Sequence, residues 1–282
     1  MSVDIAARPD GQRFNMFSLF SGVGGLDLGA RRAIGSARVV GHAERDPACQ
    51  RVLLKRMAAG DLDRAPICTD IRELDGAPWA GRVDCLIGGF PCQDISVAGN
   101  QAGILEGKQS GLWFEFARVI REMGPGWIFV ENVDALVTLA RQGKGLDVVL
   151  GSMADLGFDA EWGVLSAACV GAPHGRPRIF ILAAAPGARP LELAHPNGIA
   201  AGPHGTGGPG ADVVYPPGPD DDWTEWLRRH PGTEPVVWRA NDGVHGGVDI
   251  SWADRWHIIG NAVVADGAAL AFRILYRRLW GG

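Results

Sequence analysis

An α/β sheet with helices on both faces is the fold class this sequence predicts, on three observations. Between residues 14 and 184, short apolar runs alternate with segments of helical spacing. The first apolar run leads into a glycine-rich turn, Ser21-Gly22-Val23-Gly24-Gly25, which opens a helix-spaced segment. Two later runs end on carboxylates, Glu44 and Glu131. Acids at strand carboxyl ends face the crevice where open α/β sheets bind their ligands.

Taken in order, Met16 to Phe20 is the first strand, and LDLGARRAI after the glycines is the first helix. Ala37 to His42 is the second strand. Asp46 is placed to cap the next helix, with Pro47 at its first position and PACQRVLLKRM as its body. Thr69-Asp70-Ile71 lies in a loop or short strand. Val83 to Ile87 is a strand, Leu112 to Met123 a helix, and Trp127 to Val130 a strand ending at Glu131-Asn132. Gly145 to Leu156 is a helix, Phe158 to Ala167 and Ile179 to Ala184 are strands, and Asp266 to Trp280 is a closing helix. Residues 186–255 differ in character, with 12 Gly and 10 Pro. Such composition breaks helices and strands, so this stretch is either a small loop-rich domain or partly disordered. HPNGIAAGPHGTGGPG is its most mobile piece by composition.

The totals exclude several classes. The 282 residues are 46% hydrophobic and 21% charged, as in a globular enzyme. No run approaches the ~20 apolar residues a membrane span needs, and the start shows no secretory signal. The cysteines, Cys49, Cys68, Cys85, Cys92 and Cys169, are odd in number and form no CxxC pair. That spacing argues against a disulfide framework or a zinc site and for a reducing cytoplasm. Net charge is −5, and residues 186–255 hold 5 Arg and no Lys against 10 Asp and Glu. Overall charge neither favours nor excludes nucleic acid, since a local basic face on a neutral domain binds phosphates.

Four groups of residues carry candidate chemistry. In Gly88-Gly89-Phe90-Pro91-Cys92-Gln93, glycines allow close approach to a ligand and Pro91 stiffens the way into Cys92. A thiol in a loop after a strand is reachable by substrate. A packed apolar cysteine is the bland alternative. In FSGVGGLDLG the dinucleotide fingerprint would need glycine at 22, 24 and 27, but position 27 is Asp. A glycine turn of this kind suits a nucleoside whose other end is an amino acid. Glu44, 20 residues beyond Gly24, is placed to accept hydrogen bonds from both ribose hydroxyls. Glu131 ends its strand facing the crevice, whereas Asn132 is the better candidate for a helix cap. Arg176 and Arg178 alternate in GAPHGRPRIF and share one face if extended, as an anion clamp or a salt-bridged sheet edge.

In combination these residues resemble the DNA (cytosine-5)-methyltransferase family. FSGVGG is similar to its first cofactor motif, FPCQ to its nucleophile motif, ENV to its acidic motif, RPR to its arginine pair and GNAVV to its late motif. The resemblance covers residues 14–184 and 256–275, in family order. It implies a Rossmann-like sheet that uses S-adenosyl-L-methionine, a catalytic domain of residues 1–185 and 256–282, and a target-recognition domain of residues 186–255. It implies Cys92 as the nucleophile on carbon 6 of a flipped cytosine, assisted by Glu131, Arg176 and Arg178. Phe20, Gly22, Gly24 and Gly25 then belong to the methionine side of the cofactor and Glu44 to the ribose, with Leu26 and Pro91 also among the cofactor-binding residues. Asp70 and Ile71 go to the adenine, with Asn261 and Val263 closing the pocket. Double-stranded DNA is the expected partner, with a cognate restriction endonuclease in a restriction–modification setting. A cytoplasmic monomer without a metal is expected. The same chemistry on RNA, or a DNA-binding relative without turnover, are the alternatives. The chain departs from the family at His174, where Gln is common, at Gln109, where Arg is usual, and at Ala265-Asp266, where Pro is usual.

Overall fold

The computed structural model describes residues 13–91, 111–172, 174–194 and 262–280. Seven strands form one sheet. They are β1 (Phe14–Leu19), β2 (Ala37–Ala43), β3 (Ile67–Cys68), β4 (Cys85–Gly88), β5 (Trp127–Val133), β6 (Asp159–Ser166) and β7 (Pro177–Ala184), in the order β3-β2-β1-β4-β5-β7-β6. The pairs from β3 through β5 are parallel, while β7 runs antiparallel to both β5 and β6. The helices are α1 (Gly25–Ala33), α2 (Pro47–Ala59), α3 (Leu112–Met123), α4 (Ala135–Ala140), α5 (Leu146–Asp155) and α6 (Ala265–Trp280).

Period-two alternation along the strands divides the core into two layers. Phe17, Leu19, Leu86, Ile128, Val130 and Ile181 pack toward α3, α4 and α5. Met16, Val39, Cys85, Ile87, Phe129 and Leu182 pack toward α1 and α6. Both faces are covered, as the near-continuous apolar runs require of a mostly parallel sheet. This is the predicted α/β class, an open sheet with helices on both faces.

Local signals set the helix ends where the sequence placed them. The Asp46 side chain accepts the Ala48 N–H at 2.7 Å, Pro47 opens α2, and Gly60 closes it at φ +84°. Between α1 and α6 the approach is too close for side chains. A Cβ on Gly29 would lie 2.5 Å from that of Ala268, and one on Gly25 would lie 2.3 Å from the Val263 carbonyl oxygen. These two glycines therefore let the C-terminal segment return against α1. The structure adds features the sequence reading lacks, among them the two-residue strand β3 and 3₁₀ turns at Ala77–Trp79 and Ala167–Val170. α4 is a short helix directly after β5, and Ile71 begins a 3₁₀ turn (Ile71–Glu73) capped by Asp70.

Of the 186–255 stretch, only the first nine residues are described, and they lie against the sheet layer. The Trp127 indole donates to the Arg189 carbonyl at 3.0 Å, and the Ala194 N–H donates to the Ala33 carbonyl at 2.8 Å. Among the described residues no helix is long and apolar enough to cross a membrane.

Candidate active site

The strand order reverses direction between β1 and β4, since the chain builds outward to β2 and β3 on one side and to β5 on the other. A crevice forms at the carboxyl ends of strands at such a switch point. A cavity of about 570 Å³ lies there, over the ends of β1, β2, β4 and β5, a size suited to a small-molecule ligand. Its walls include Phe20, Gly22, Gly25, Leu26, Glu44, Asp70, Ile71, Pro91, Glu131, Arg178 and Val263. Eleven positions singled out in the sequence are thus brought together. Gly24 serves the turn instead, because a Cβ there would point at Leu62, 2.8 Å away. Arg176 joins Arg178 and Val263 around a small adjoining cleft. Cys92 and Asn261 lie outside the described residues, as do 195–261 and Gln109.

At one end of the cavity the turn after β1 is wound tightly. Phe20 has φ +52° and Gly22 φ +54°. The left-handed conformation costs a side-chain-bearing residue roughly 1–2 kcal/mol, and such backbone persists where its surroundings enforce it. Here they do so through Glu44. One carboxylate oxygen accepts the Gly22 N–H at 2.6 Å and the other accepts the Asp46 N–H at 2.7 Å. Burial nevertheless pushes the Glu44 carboxyl above its ordinary value, while these two N–H groups pull it down. Glu44 therefore ties the glycine turn to the start of α2, with lone pairs left to face the cavity.

Just beyond β3, Asp70 is already engaged. Arg72 grips its carboxylate with the guanidinium and with its own N–H. These bonds hold the Asp70 carboxyl down at about 2. Asp70 thus remains an anion through the working range, and Arg72 is a neighbour the sequence reading missed.

Glu131 stands at the far end, buried near the end of β5. Arg178 approaches its carboxylate at 3.0 Å through Nε. Register explains the meeting, because Arg178 on β7 pairs with Val133 two residues beyond Glu131. Burial raises the Glu131 carboxyl above the usual range, and Arg178 and Arg176 oppose the rise. Gly89 passes so close that a Cβ there would be 2.9 Å from Glu131 Oε2. The Asn132 side chain donates to the Phe90 carbonyl at 3.1 Å. Asn132 is thus a tether between β5 and the loop that runs into Pro91 and Cys92, and not a helix cap. Its partner is 42 positions away, so no local signal could reveal it. His174 is held below the usual histidine value by partial burial and by Arg176 and Arg178, and it adds no charge beside them near neutral pH.

A buried polar group beneath the glycine turn also escaped the sequence reading. Asp27 and His42 are fully buried, with His42 Nδ1 3.2 Å from Ser21 Oγ and 3.5 Å from Asp27 Oδ1. The available signal was an acid on the apolar face of α1, between Leu26 and Ala30.

An open α/β sheet with a glycine turn, one acid bound to that turn and a second acid beside an arginine, all around one cavity at the strand ends, defines the class of protein: an α/β fold that takes a small molecule at its switch point. Comparison with known proteins narrows it. The family described as C-5 cytosine-specific DNA methylase matches residues 14–199, and the chain belongs to that family. Among curated relatives, the Type II methyltransferase M2.BsuMI of Bacillus subtilis (strain 168) is 33% identical over 170 residues, covering 59% of this chain and 41% of the relative. Type II methyltransferase M.Eco47II of Escherichia coli is 33% identical over 171 residues, covering 60% and 39%. The chain thus spans about two fifths of the length of these relatives. Among solved structures, a prophage-encoded DNA modification methyltransferase from E. coli is similar with a TM-score of 0.49 and 25% identity, covering 61% of this chain and 47% of that one.

Proposed function

We propose that this chain methylates carbon 5 of cytosine in double-stranded DNA, with S-adenosyl-L-methionine as methyl donor. The observation that carries the reading is the arrangement of the two acids in one cavity. Glu44 stands at the glycine turn, and Glu131 stands where Asn132 tethers the loop two residues before Cys92. The cavity's size, its glycine-lined turn and its ribose-facing carboxylate fit an adenosine joined to an amino acid. When bound, the cofactor supplies an electrophilic methyl group on a sulfonium.

The protein's own groups do the rest. Cytosine carbon 5 is a poor nucleophile, and addition of the Cys92 thiolate to carbon 6 makes it enamine-like. Glu131 hydrogen-bonds ring nitrogen 3 and the exocyclic amine as charge develops. Arg176 holds the carbonyl oxygen of the base, and Arg178 steadies Glu131 and the loop. A base then removes the carbon 5 proton and the Cys92 sulfur departs with its electron pair. The cytosine must leave the duplex for carbon 6 to be reached. Residues 186–255 choose the target sequence, in a monomeric, cytoplasmic enzyme. The relatives' designation as Type II methyltransferases supports a cognate restriction endonuclease as partner.

The test is direct. DNA from cells expressing the chain is read for methylated cytosine by bisulfite conversion, beside an in vitro competition between duplex DNA and RNA. Methylation at one recurring duplex sequence is expected. Methyl transfer only to RNA, or to neither, overturns the assignment.

Glu44 supplies a second expected result. Glu44→Ala removes the ribose acceptor and also leaves the Gly22 and Asp46 N–H groups without their carboxylate. Cofactor affinity should fall by at least the ~1.5–3 kcal/mol typical of hydrogen bonds to a charged group. Calorimetry returning the parent's affinity would remove Glu44 from the site.

A further inference from the structure

We propose that the Asp27 carboxylate receives the cationic amino end of the bound cofactor, beneath the glycine turn. The inference rests on the S-adenosyl-L-methionine reading and deepens it. Asp27 lies in the first turn of α1 and borders the cavity together with Ser18, Ser21, Gly25 and Leu26. Its side chain is fully buried and neither carboxyl oxygen is in full hydrogen-bond geometry; the Ser18 hydroxyl and its own backbone N–H stand near enough to favour the ionised form but do not offset burial. A leucine or alanine would suit this apolar face of α1 better, so a carboxyl here calls for a ligand.

The protein supplies no strong counter-charge of its own. Ser21 Oγ donates its proton to the Ser18 carbonyl at 3.0 Å. The His42 Nδ1 proton is then directed at Ser21 Oγ, 3.2 Å away, and stands 3.5 Å from Asp27, beyond a good hydrogen bond. Burial also holds His42 below its ordinary value, which keeps the imidazole neutral. From α2, Arg56 favours the ionised acid only weakly, and Asp63 acts on His42. Desolvation therefore dominates and raises Asp27 above the usual carboxyl range. A bland alternative exists, in which Asp27 is simply a neutral acid retained in the core. The two differ in what happens to its proton when the cofactor arrives. An ammonium with several N–H donors, delivered into the cavity, turns the ionised acid into the favoured form. Binding then expels the proton.

Glu44 borders the same cavity and is also raised, so its contribution must be separated. The two ends of the ligand do this. 5′-Methylthioadenosine carries the ribose that Glu44 faces but has no amino-acid end. Calorimetry of the full chain in buffers of different ionisation enthalpy counts protons released on binding. Between about pH 5 and 7 the ligand's own α-amino group stays protonated. Across this range, S-adenosyl-L-methionine should release up to about one proton more than 5′-methylthioadenosine, and its affinity should rise with pH. Asp27→Asn should bind S-adenosyl-L-methionine roughly 10- to 100-fold more weakly and lose the extra release. Its affinity for 5′-methylthioadenosine should be unchanged.

If Asp27→Asn melts without cooperativity, the two-ligand comparison in the parent decides the matter by itself. Equal proton release with both ligands overturns the role of Asp27 while leaving the cofactor reading intact, and so does extra release that persists in Asp27→Asn. A parent chain with no affinity for either ligand overturns the cofactor reading, and this inference falls with it.

Discussion

The parent chain should form a denaturation-stable complex with duplex DNA carrying 5-fluorocytosine at its target, and Cys92→Ser should abolish it. Attack on carbon 6 joins protein and base by a covalent bond, and release requires loss of the proton at carbon 5. Fluorine at that position cannot leave as a cation, so with S-adenosyl-L-methionine present the adduct persists through a denaturing gel. A serine hydroxyl is a far weaker nucleophile near neutral pH than a thiolate, so the band should vanish. Two buried cysteines provide the contrast. Cys85 is fully buried in β4, and burial pushes its thiol far above the usual range. Burial and the nearby Glu44 and Asp46 do the same to Cys49. Both are inert packing thiols, and Cys85→Ser should still trap. A band in Cys92→Ser as strong as the parent's would overturn the nucleophile and the mechanism built on it.

What the sequence reveals here, and what it hides, follows from the range of the signals. Strands and helices are written in local periodicity, so the alternation from Phe14 to Ala184 predicted the sheet, and Asp46-Pro47 predicted the start of α2. The ends of the strands carry the site, so Glu44 and Glu131 could be placed in the crevice from their positions alone. Tertiary bonds leave no such local trace. The Asn132 tether to Phe90 crosses 42 positions, and the grip of Arg178 on Glu131 depends on the antiparallel register of β7. Asp27 was noted only as the residue that spoils a dinucleotide fingerprint. Its burial against His42 and Ser21 required α1 to be laid on β1 and β2. The insertion of β7 between β5 and β6 is equally silent in the chain, because neither strand's composition states its partner.

Glu131→Gln should lower the single-turnover rate by about 10²- to 10³-fold, within the range for a positioned general acid, while cofactor affinity stays near the parent's. Ring nitrogen 3 of cytosine is an acceptor and the exocyclic amine a donor. A protonated carboxyl matches both, donating from one oxygen and accepting with the other. Burial raises Glu131 toward that protonated form, although Arg178 and Arg176 pull against it. A glutamine amide reproduces the same donor and acceptor pattern, so the flipped base should still dock and the KM for DNA should change little. It cannot pass a proton to nitrogen 3 as the adduct forms, and the loss therefore falls on the chemical step. The same argument sets the pH dependence. If the protonated acid is the active form, the parent's rate declines as pH rises through the raised Glu131 value, and Glu131→Gln should lose that limb. Glu131→Ala should behave differently again, because it strands the Arg178 guanidinium that now sits 3.0 Å from the carboxylate and costs stability as well as rate. Rapid-quench measurement of methyl transfer, paired with calorimetry for the cofactor, separates these outcomes. A Glu131→Gln rate equal to the parent's, or a rate loss matched by an equal loss of cofactor affinity, would remove Glu131 from the base and return it to the wall of the cofactor cavity.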